Sequence, residues 1–263
     1  MRKQSLPGKK YTVIRYPKVD STNSIALDLG SRDAPHGTVV LADEQSGGRG
    51  RLSRFFFSPI GGLYLSVILR PRLPIEKLSL ITLAAGVACA EAVEQVSGIS
   101  VQLKWPNDLY YKGEKLGGIL TEAAPYSSSA RAVPFIVAGI GLNVNTRLES
   151  FPSLLSHLAT SLYCITAKEY EIDNVMDSFM ASLLTEVSLL QDNEEKVLDH
   201  WRERDYLLGK KIRWHIPEGE IVHGTGNGLL SDGRYRLTSS GGDDYPVLAG
   251  DIEIINISGR HIK

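Results

Sequence analysis

The sequence predicts an α+β protein in two parts, with strands and helices mixed over residues 1–208 and a small all-β unit over 209–263. Three observations carry this. Apolar runs of strand length recur between turn-forming residues in the first part, among them YTVIRYPKV, HGTVVLADEQ, GGLYLSVILRP and FIVAGIGLNVN. Other segments repeat at helical steps, most plainly at 175–190, where Val175, Met176, Phe179, Met180, Leu183, Leu184 and Val187 share one face and read as core. Near Gly209 the pattern changes to five short strands, KKIRWHI, EIVHGTGNGLL, RYRLTSS, YPVLAG and DIEIINI, with a tight turn at Asp232-Gly233 and no helical period. A unit of about 55 residues can form a compact β-barrel but is too small to host much chemistry alone.

Each element follows in order. The strand at 11–19 runs into a helix opened by DSTN, where Ser and Asn offer caps and Ile25, Ala26 and Leu29 take helical spacing. HGTVVLADEQ is the next strand; the stretch EQSGGRGRLSRFFFSP then forms a loop before GGLYLSVILRP, whose unbroken apolar character predicts burial on both faces. Ser79 is placed to cap a helix over about 80–97, with Ala84, Val87, Ala88 and Glu91 close to one face. VQLKWPNDLYYKGEKLGGILTEA returns the chain to strands around Lys112-Gly113-Glu114, and PYSSSARAVP reads as a solvated hairpin loop. The strand FIVAGIGLNVN, the helix at 175–190 and a further helix over EEKVLDHWRERDYLLG complete the first part, with the boundary near Gly209.

Composition limits the partners. Twenty-nine Lys and Arg against 30 Asp and Glu give a net charge of -1, so no global field recruits nucleic acid or an anionic membrane, and any anion site must be local. The basic N-terminal stretch lacks an apolar signal core, and the most apolar run, LSLITLAAGVACAEAVEQV, is broken by Glu91 and Glu94; the expectation is a soluble cytoplasmic protein with no membrane partner. Cys89 and Cys164 read as small core residues in a reducing compartment.

The loop at 44–59 sets three glycines and three arginines beside three phenylalanines. Gly47, Gly48 and Gly50 could turn their N–H groups onto an anion as a backbone nest, and Arg49, Arg51 and Arg54 would add guanidinium forks that match phosphate or carboxylate oxygens. A flexible surface hairpin with solvated arginines explains the same residues, as does an RGG-like nucleic-acid segment. Alternation sends Phe56 to the opposite side from Phe55 and Phe57, where it could cover a purine ring. In KWPNDLYYKGEKLGGIL, Pro106 holds Trp105 extended and leaves Asn107 and Asp108 between apolar segments, either as ordinary turn residues or as site groups. Lys115 precedes Gly117 and Gly118, which would let a ligand or another backbone approach closely. GIGLNVN has a G-x-G without the third glycine or opening helix of a dinucleotide site, no P-loop is present, and neither HExxH, paired CxxC nor GxSxG occurs. The six histidines are scattered, against a protein-held transition metal.

Taken in order, DSTN, EQSGGRGR with FFFSP, KWPNDLYY, KLGGIL and GIGLNVN, followed by a small β-domain, resemble the biotin-protein ligase family over about residues 11–257. That resemblance implies a mixed-sheet catalytic domain with flanking helices and an SH3-like C-terminal barrel. It implies a two-step reaction with biotin, ATP and Mg²⁺, in which biotinyl-5'-AMP and pyrophosphate form and biotin then passes to a lysine of the biotin carboxyl carrier protein of acetyl-CoA carboxylase. By resemblance Ser21, Thr22 and Gln45, with Asn23 beside them, hydrogen-bond the ring end of biotin, while Gly48, Arg49, Gly50 and Arg51 wrap its carboxylate and the adenylate phosphate. Lys115 would touch carboxylate and phosphate oxygens. Asn143, Phe56 and the main chain near Gly118 and Gly141 would shape the biotin and adenine pockets. Asn107 with Asp108 would serve the metal and the second step, Asp108 as the Mg²⁺ contact. Lys104, Trp105 and Gly117 complete the expected binding set, and Arg49, Lys115 and Asp108 form the expected catalytic set.

The chain departs from the family pattern GRGRxGRxW, with Ser53 in place of the glycine and Phe56 in place of the tryptophan. Phe56 loses an indole N–H but keeps a stacking face, so altered adenylate retention is expected rather than lost chemistry. About ten residues precede the first strand, so no DNA-binding domain and no DNA complex are expected. A lipoate-protein ligase and a non-catalytic biotin or adenylate sensor are the competing readings. A strand edge of the catalytic domain offers a route to a homodimer.

Overall fold

The computed structural model describes residues 2–5, 10–125, 133–216, 219–247 and 250–255. Its first sheet has eight strands: β1 (Arg2–Ser5), β2 (Thr12–Val19), β3 (Thr38–Gln45), β4 (Leu63–Leu69), β5 (Gln102–Lys104), β6 (Asp108–Tyr111), β7 (Glu114–Ala123) and β8 (Ile136–Leu142). They lie in the order β1-β2-β3-β4-β8-β7-β6-β5. β2 and β3 are parallel, joined by the crossover helix α1 (Thr22–Ser31), and the other neighbours are antiparallel, which makes the sheet mixed. β1 was not expected: RKQS has no apolar alternation, and its backbone pairing with β2 defines it instead. The hairpin-loop expectation for PYSSSARAVP falls largely on residues 126–132, outside the described ones.

Both faces of the sheet are covered, which is why β4 is buried along its whole length. Val40, Ile68 and Val137 pack with Ala26 of α1 on one face. On the other, Val39, Leu41, Val67, Leu69 and Ala138 pack in the main core with α2 (Leu80–Ser97), α4 (Ile172–Asp192) and α5 (Glu194–Arg202). The parity of the strands sorts these residues between faces. α2 is the one helix among the described residues long and apolar enough to cross a membrane, and its apolar circumference is spent on the sheet and the helices around it. Cys89 sits there, its thiol pushed up to about 12 by burial. Cys164 corrects the expectation of a core thiol: on the short helix α3 (Leu162–Thr166) it faces outward and is exposed. Ser79 precedes α2 without a capping side-chain bond.

The last helix ends at Arg202, not near Gly209. Residues beyond it leave the helix to cover the outer edge of β5: Leu103 donates its N–H to Arg204 O at 2.7 Å and accepts from Tyr206 N at 2.9 Å. The second sheet is antiparallel, with β9 (Lys211–His215), β10 (Ile221–Leu229), β11 (Tyr235–Ser239), β12 (Asp244–Val247) and β13 (Asp251–Ile254) in the order β12-β11-β10-β9-β13. Its inner residues Ile212, Tyr235, Leu237 and Ile252 join the main core. Tyr235 stands 6.2 Å from Trp105 and 6.5 Å from Trp201 between ring centroids, and its hydroxyl donates to Asp205 Oδ2 at 2.9 Å.

Trp105 therefore ties the two sheets together, donating from Nε1 to Gly233 O at 3.0 Å in a buried setting. Trp105→Phe leaves that carbonyl without its donor, and the expected loss is about 1–3 kcal/mol of stability, seen as a melting temperature lowered by a few degrees. An unchanged melting temperature would show that the joint does not depend on this bond.

Candidate functional site

The cavity lies where the ends of the first sheet meet the second, with a volume of about 700 Å³. Its polar floor is built at the start of α1. Ser21 stands at the N-cap but makes no capping side-chain bond, and Thr22 and Asn23 of the first turn are spent on neighbours rather than on the helix end. This corrects the capping expectation. All three are buried, at 3%, 4% and 4% exposure, so their polar atoms need partners. Gln45 Oε1 accepts from Thr22 N at 2.9 Å and from its hydroxyl at 3.1 Å, while Gln45 Nε2 donates to Ser58 Oγ at 3.0 Å. The Ser66 hydroxyl lies 2.8 Å from Thr22 Oγ1 and 2.5 Å from Asn23 Oδ1. Asn23 reaches this position because β8 has glycine at 139, where a Cβ would stand 2.0 Å from Asn23 Oδ1.

The loop at 44–59 is an ordered arch. Gln45 pairs with Ser58 and Arg49 with Phe55, and a single turn over Arg51–Ser53 closes its tip, with Leu52 left-handed at φ 54°. Gly47 donates its N–H to Asp20 O at 2.9 Å and Gly50 to Arg54 O at 2.7 Å, so these donors close the loop and do not form the expected anion nest. Neither Gly47, Gly48 nor Gly50 has positive φ. Space is what the first two supply: a Cβ would stand 2.1 Å from Asp20 Oδ1 at Gly47 and 2.3 Å from Phe56 O at Gly48. Phe56 lies over Gly141, where a Cβ would stand 2.5 Å from its ring, and Phe55 lines the cavity as well. Phe57 turns away onto Phe151, with ring centroids 6.3 Å apart.

Five expected cations line one cavity: Arg49, Arg51 and Arg54 from the arch, Lys104 from β5 and Lys115 from β7. Burial pushes Arg51 and Lys104 below their ordinary values, and the carboxylates of Asp108 and Asp251 offset only part of that shift, which marks both charges as desolvated. An entering anion offsets that cost. Lys115 Nζ is 2.7 Å from Asp108 Oδ1, beside Gly118, where a Cβ would stand 3.2 Å from that oxygen and 3.4 Å from Nζ. Asp108 sits at the start of β6 with a side chain 20% exposed. Asp251 and Glu253, the other lining carboxylates, are paired with Arg54 and with Arg213 and His215. Asp108 fits an Mg²⁺ contact, since Mg²⁺ is usually held by one or two carboxylates together with substrate phosphates.

Of the expected residues, Ser21, Thr22, Asn23, Gln45, Arg49, Gly50, Arg51, Phe56, Lys104, Trp105, Asn107, Asp108, Lys115, Gly118 and Gly141 line this cavity. Gly48, Gly117 and Asn143 do not. Gly48 shapes the arch, and a Cβ at Gly117 would stand 2.7 Å from Gly141 O, so its missing side chain serves the approach of β8. Asn143 is buried and donates from Nδ2 to Thr160 O at 2.9 Å, bracing the segment behind Lys115. Asn107 lines the wall and donates from Nδ2 to Ile119 O at 2.7 Å, in the turn that precedes β6.

Sequence reasoning missed the wall supplied by the second sheet, which includes Arg213, His215, Asp251 and Glu253. The i, i+2 spacing in β9 and β13 puts each pair on one face, and the register sets Asp251 opposite His215 and Glu253 opposite Arg213. Which face meets the cavity depends on how the sheets dock. A separate charged group, Glu91, Glu186 and His200, brings donor atoms within 4.8 Å of one another where α2, α4 and α5 meet, and none of the three lines the cavity.

Residues 16–143 match the Biotin/lipoate A/B protein ligase family. A biotin--[acetyl-CoA-carboxylase] ligase from Mycobacterium tuberculosis is 30% identical over 243 residues, covering 89% of this chain and 86% of that protein. A bifunctional ligase/repressor BirA from Bacillus spizizenii is 43% identical over 145 residues, and this match spans 55% of the chain but 44% of the relative's length. Among solved structures, a biotin protein ligase from Aquifex aeolicus in complex with biotin and ATP superposes with a TM-score of 0.81 at 29% identity, covering 94% of this chain and all of that one.

Proposed function

The chain belongs to the biotin/lipoate protein ligase family, and on that premise we propose that it is an ATP-dependent biotin-protein ligase that makes biotinyl-5'-AMP and passes biotin to a lysine of the carboxyl carrier protein of acetyl-CoA carboxylase. The observation that carries this is the convergence of Arg49, Arg51, Lys104 and Lys115 on a cavity whose far end is a buried hydroxyl and amide floor. A polar floor with both donors and acceptors suits a cyclic urea, and a cluster of cations suits a carboxylate meeting a triphosphate.

The first step brings two anions together. A biotin carboxylate oxygen attacks the α-phosphorus of ATP, the bond to the bridging oxygen breaks, and pyrophosphate leaves with that electron pair. Arg49, Arg51 and Lys115 stabilise the charge that develops on the α-phosphoryl oxygens, and the ordered arch holds two of them in place before reaction. Mg²⁺, held by Asp108 and the phosphates, would neutralise part of the triphosphate charge. Phe56, lying over Gly141, offers a face to the purine.

In the second step a neutral lysine amine attacks the acyl carbon, the bond to the AMP oxygen breaks, and the amine loses a proton. A lysine of ordinary pKa, about 10.4, is less than roughly 0.1% neutral at pH 7, so the site must favour the free amine. Asp108 orients the incoming amine and takes its proton once Lys115 turns to the phosphate. The arch covers the mixed anhydride against water. The free thiols Cys89 and Cys164 suit a reducing cytoplasm.

Pyrophosphate release tests the first step. With ATP and Mg²⁺, release that depends on biotin supports the proposal. Release that depends on lipoate instead would move the chain to the other branch of the family, and tight biotin binding without release would make it a sensor.

A further inference from the structure

Glu122 lies on the same face of β7 as Gly118 and Leu120, which line the cavity, although no expectation assigned it a role. One of its oxygens, Oε2, accepts from Arg49 at 2.9 Å and from Asn23 Nδ2 at 2.7 Å. Asn23 belongs to the buried floor and continues through Ser66 and Thr22 to Gln45 and Ser58, so one chain of hydrogen bonds runs from Glu122 across the floor to the far limb of the arch. Glu122 is the group in that chain with a full negative charge, and it faces the guanidinium that has to meet the substrate anion.

We infer that Glu122 is a positioning residue that stands in for the substrate carboxylate: it tethers Arg49, and with it the arch, to the buried floor while the cavity holds no anion, and yields the guanidinium when a carboxylate or phosphoryl group enters. This rests on the functional reading above. The pair suits exchange because its side chains are 42% and 27% exposed, and an ion pair in that setting is weak and easily broken. The desolvated Arg51 and the paired Lys115 supply the field that draws the ligand anion into competition with Glu122. Asn23 keeps its bond to Leu120 O at 3.1 Å whether or not Arg49 leaves, so the floor does not depend on the exchange.

Glu122→Gln isolates the charge. Because both bonds reach a single oxygen, a glutamine carbonyl placed there keeps their geometry and loses only the anion. The expected result is a KM for biotin lowered by about 2–5-fold, the reach of one partly exposed ion pair, with slower release of the adenylate. Limited trypsin digestion after Arg49, Arg51 and Arg54, followed by mass spectrometry, should show the empty arch of the variant cut faster than wild type, and equal protection once biotin and ATP are bound. A merely structural role would raise KM. A KM that is unchanged or raised, or empty-state cleavage equal to wild type, overturns the inference. The digestion needs no turnover: if wild type releases no pyrophosphate with biotin, the functional reading fails, and the cleavage comparison still decides whether Glu122 tethers the arch.

Discussion

Lys115→Gln is expected to lower biotin-dependent pyrophosphate release by about 10²–10³-fold, the cost of removing one preorganised charge from a developing oxyanion. Three features single out this residue. Its backbone is clamped, donating to Leu158 O at 2.8 Å and accepting from Thr160 N at 2.9 Å, so the side chain projects from a fixed point. Gly118 leaves room beside Nζ, and Asp108 holds Nζ at 2.7 Å. Glutamine keeps most of the length and a hydrogen-bond donor but no charge, so a large loss in kcat with a small change in KM would mark an interaction made mainly in the transition state. Equal losses of binding and rate would assign Lys115 to ground-state binding. A change under about threefold would remove it from the chemistry.

Asp108→Ala is expected to separate the two steps. Supplied with preformed biotinyl-5'-AMP and an apo carrier domain, the variant should transfer biotin about 10²–10³-fold more slowly, the usual worth of a positioned general base. Adenylate formation should fall by less, because the lysine charge remains and the substrate phosphates keep their own hold on Mg²⁺ when the Asp108 contact is lost. Normal transfer from the preformed adenylate would remove Asp108 from the second step. Asp108→Asn is the companion variant, since it keeps the shape and a hydrogen-bonding oxygen while losing basicity.

Much of the site is legible in sequence because its residue types are costly elsewhere. Arginines between glycines, and the polar Asn107 and Asp108 between apolar strands, each need a partner, and all of them line the cavity. Apart from β1, the strands and the long helices are readable from periodicity, and the burial of β4 on both faces follows from its unbroken apolar run. What escaped depended on pairing across distance. The glycines of the arch announced a missing side chain, but whether that served φ or close approach was decided by where Asp20 and the Phe56 carbonyl fell. Asn143 read as a site residue and instead braces Thr160, a contact set by how the chain returns after β8. Glu122, Arg213 and Asp251 carried no local signal, because their roles arise from strand register and from the docking of the second sheet.

Intact-mass analysis of an apo biotin carboxyl carrier domain incubated with the protein, biotin, ATP and Mg²⁺, with lipoate in a parallel reaction, decides whether the chain transfers biotin. A biotin-protein ligase adds the mass of one biotinyl group to the carrier, dependent on ATP, and adds nothing with lipoate. A carrier that stays unmodified while the protein binds biotin and ATP would contradict the proposed activity.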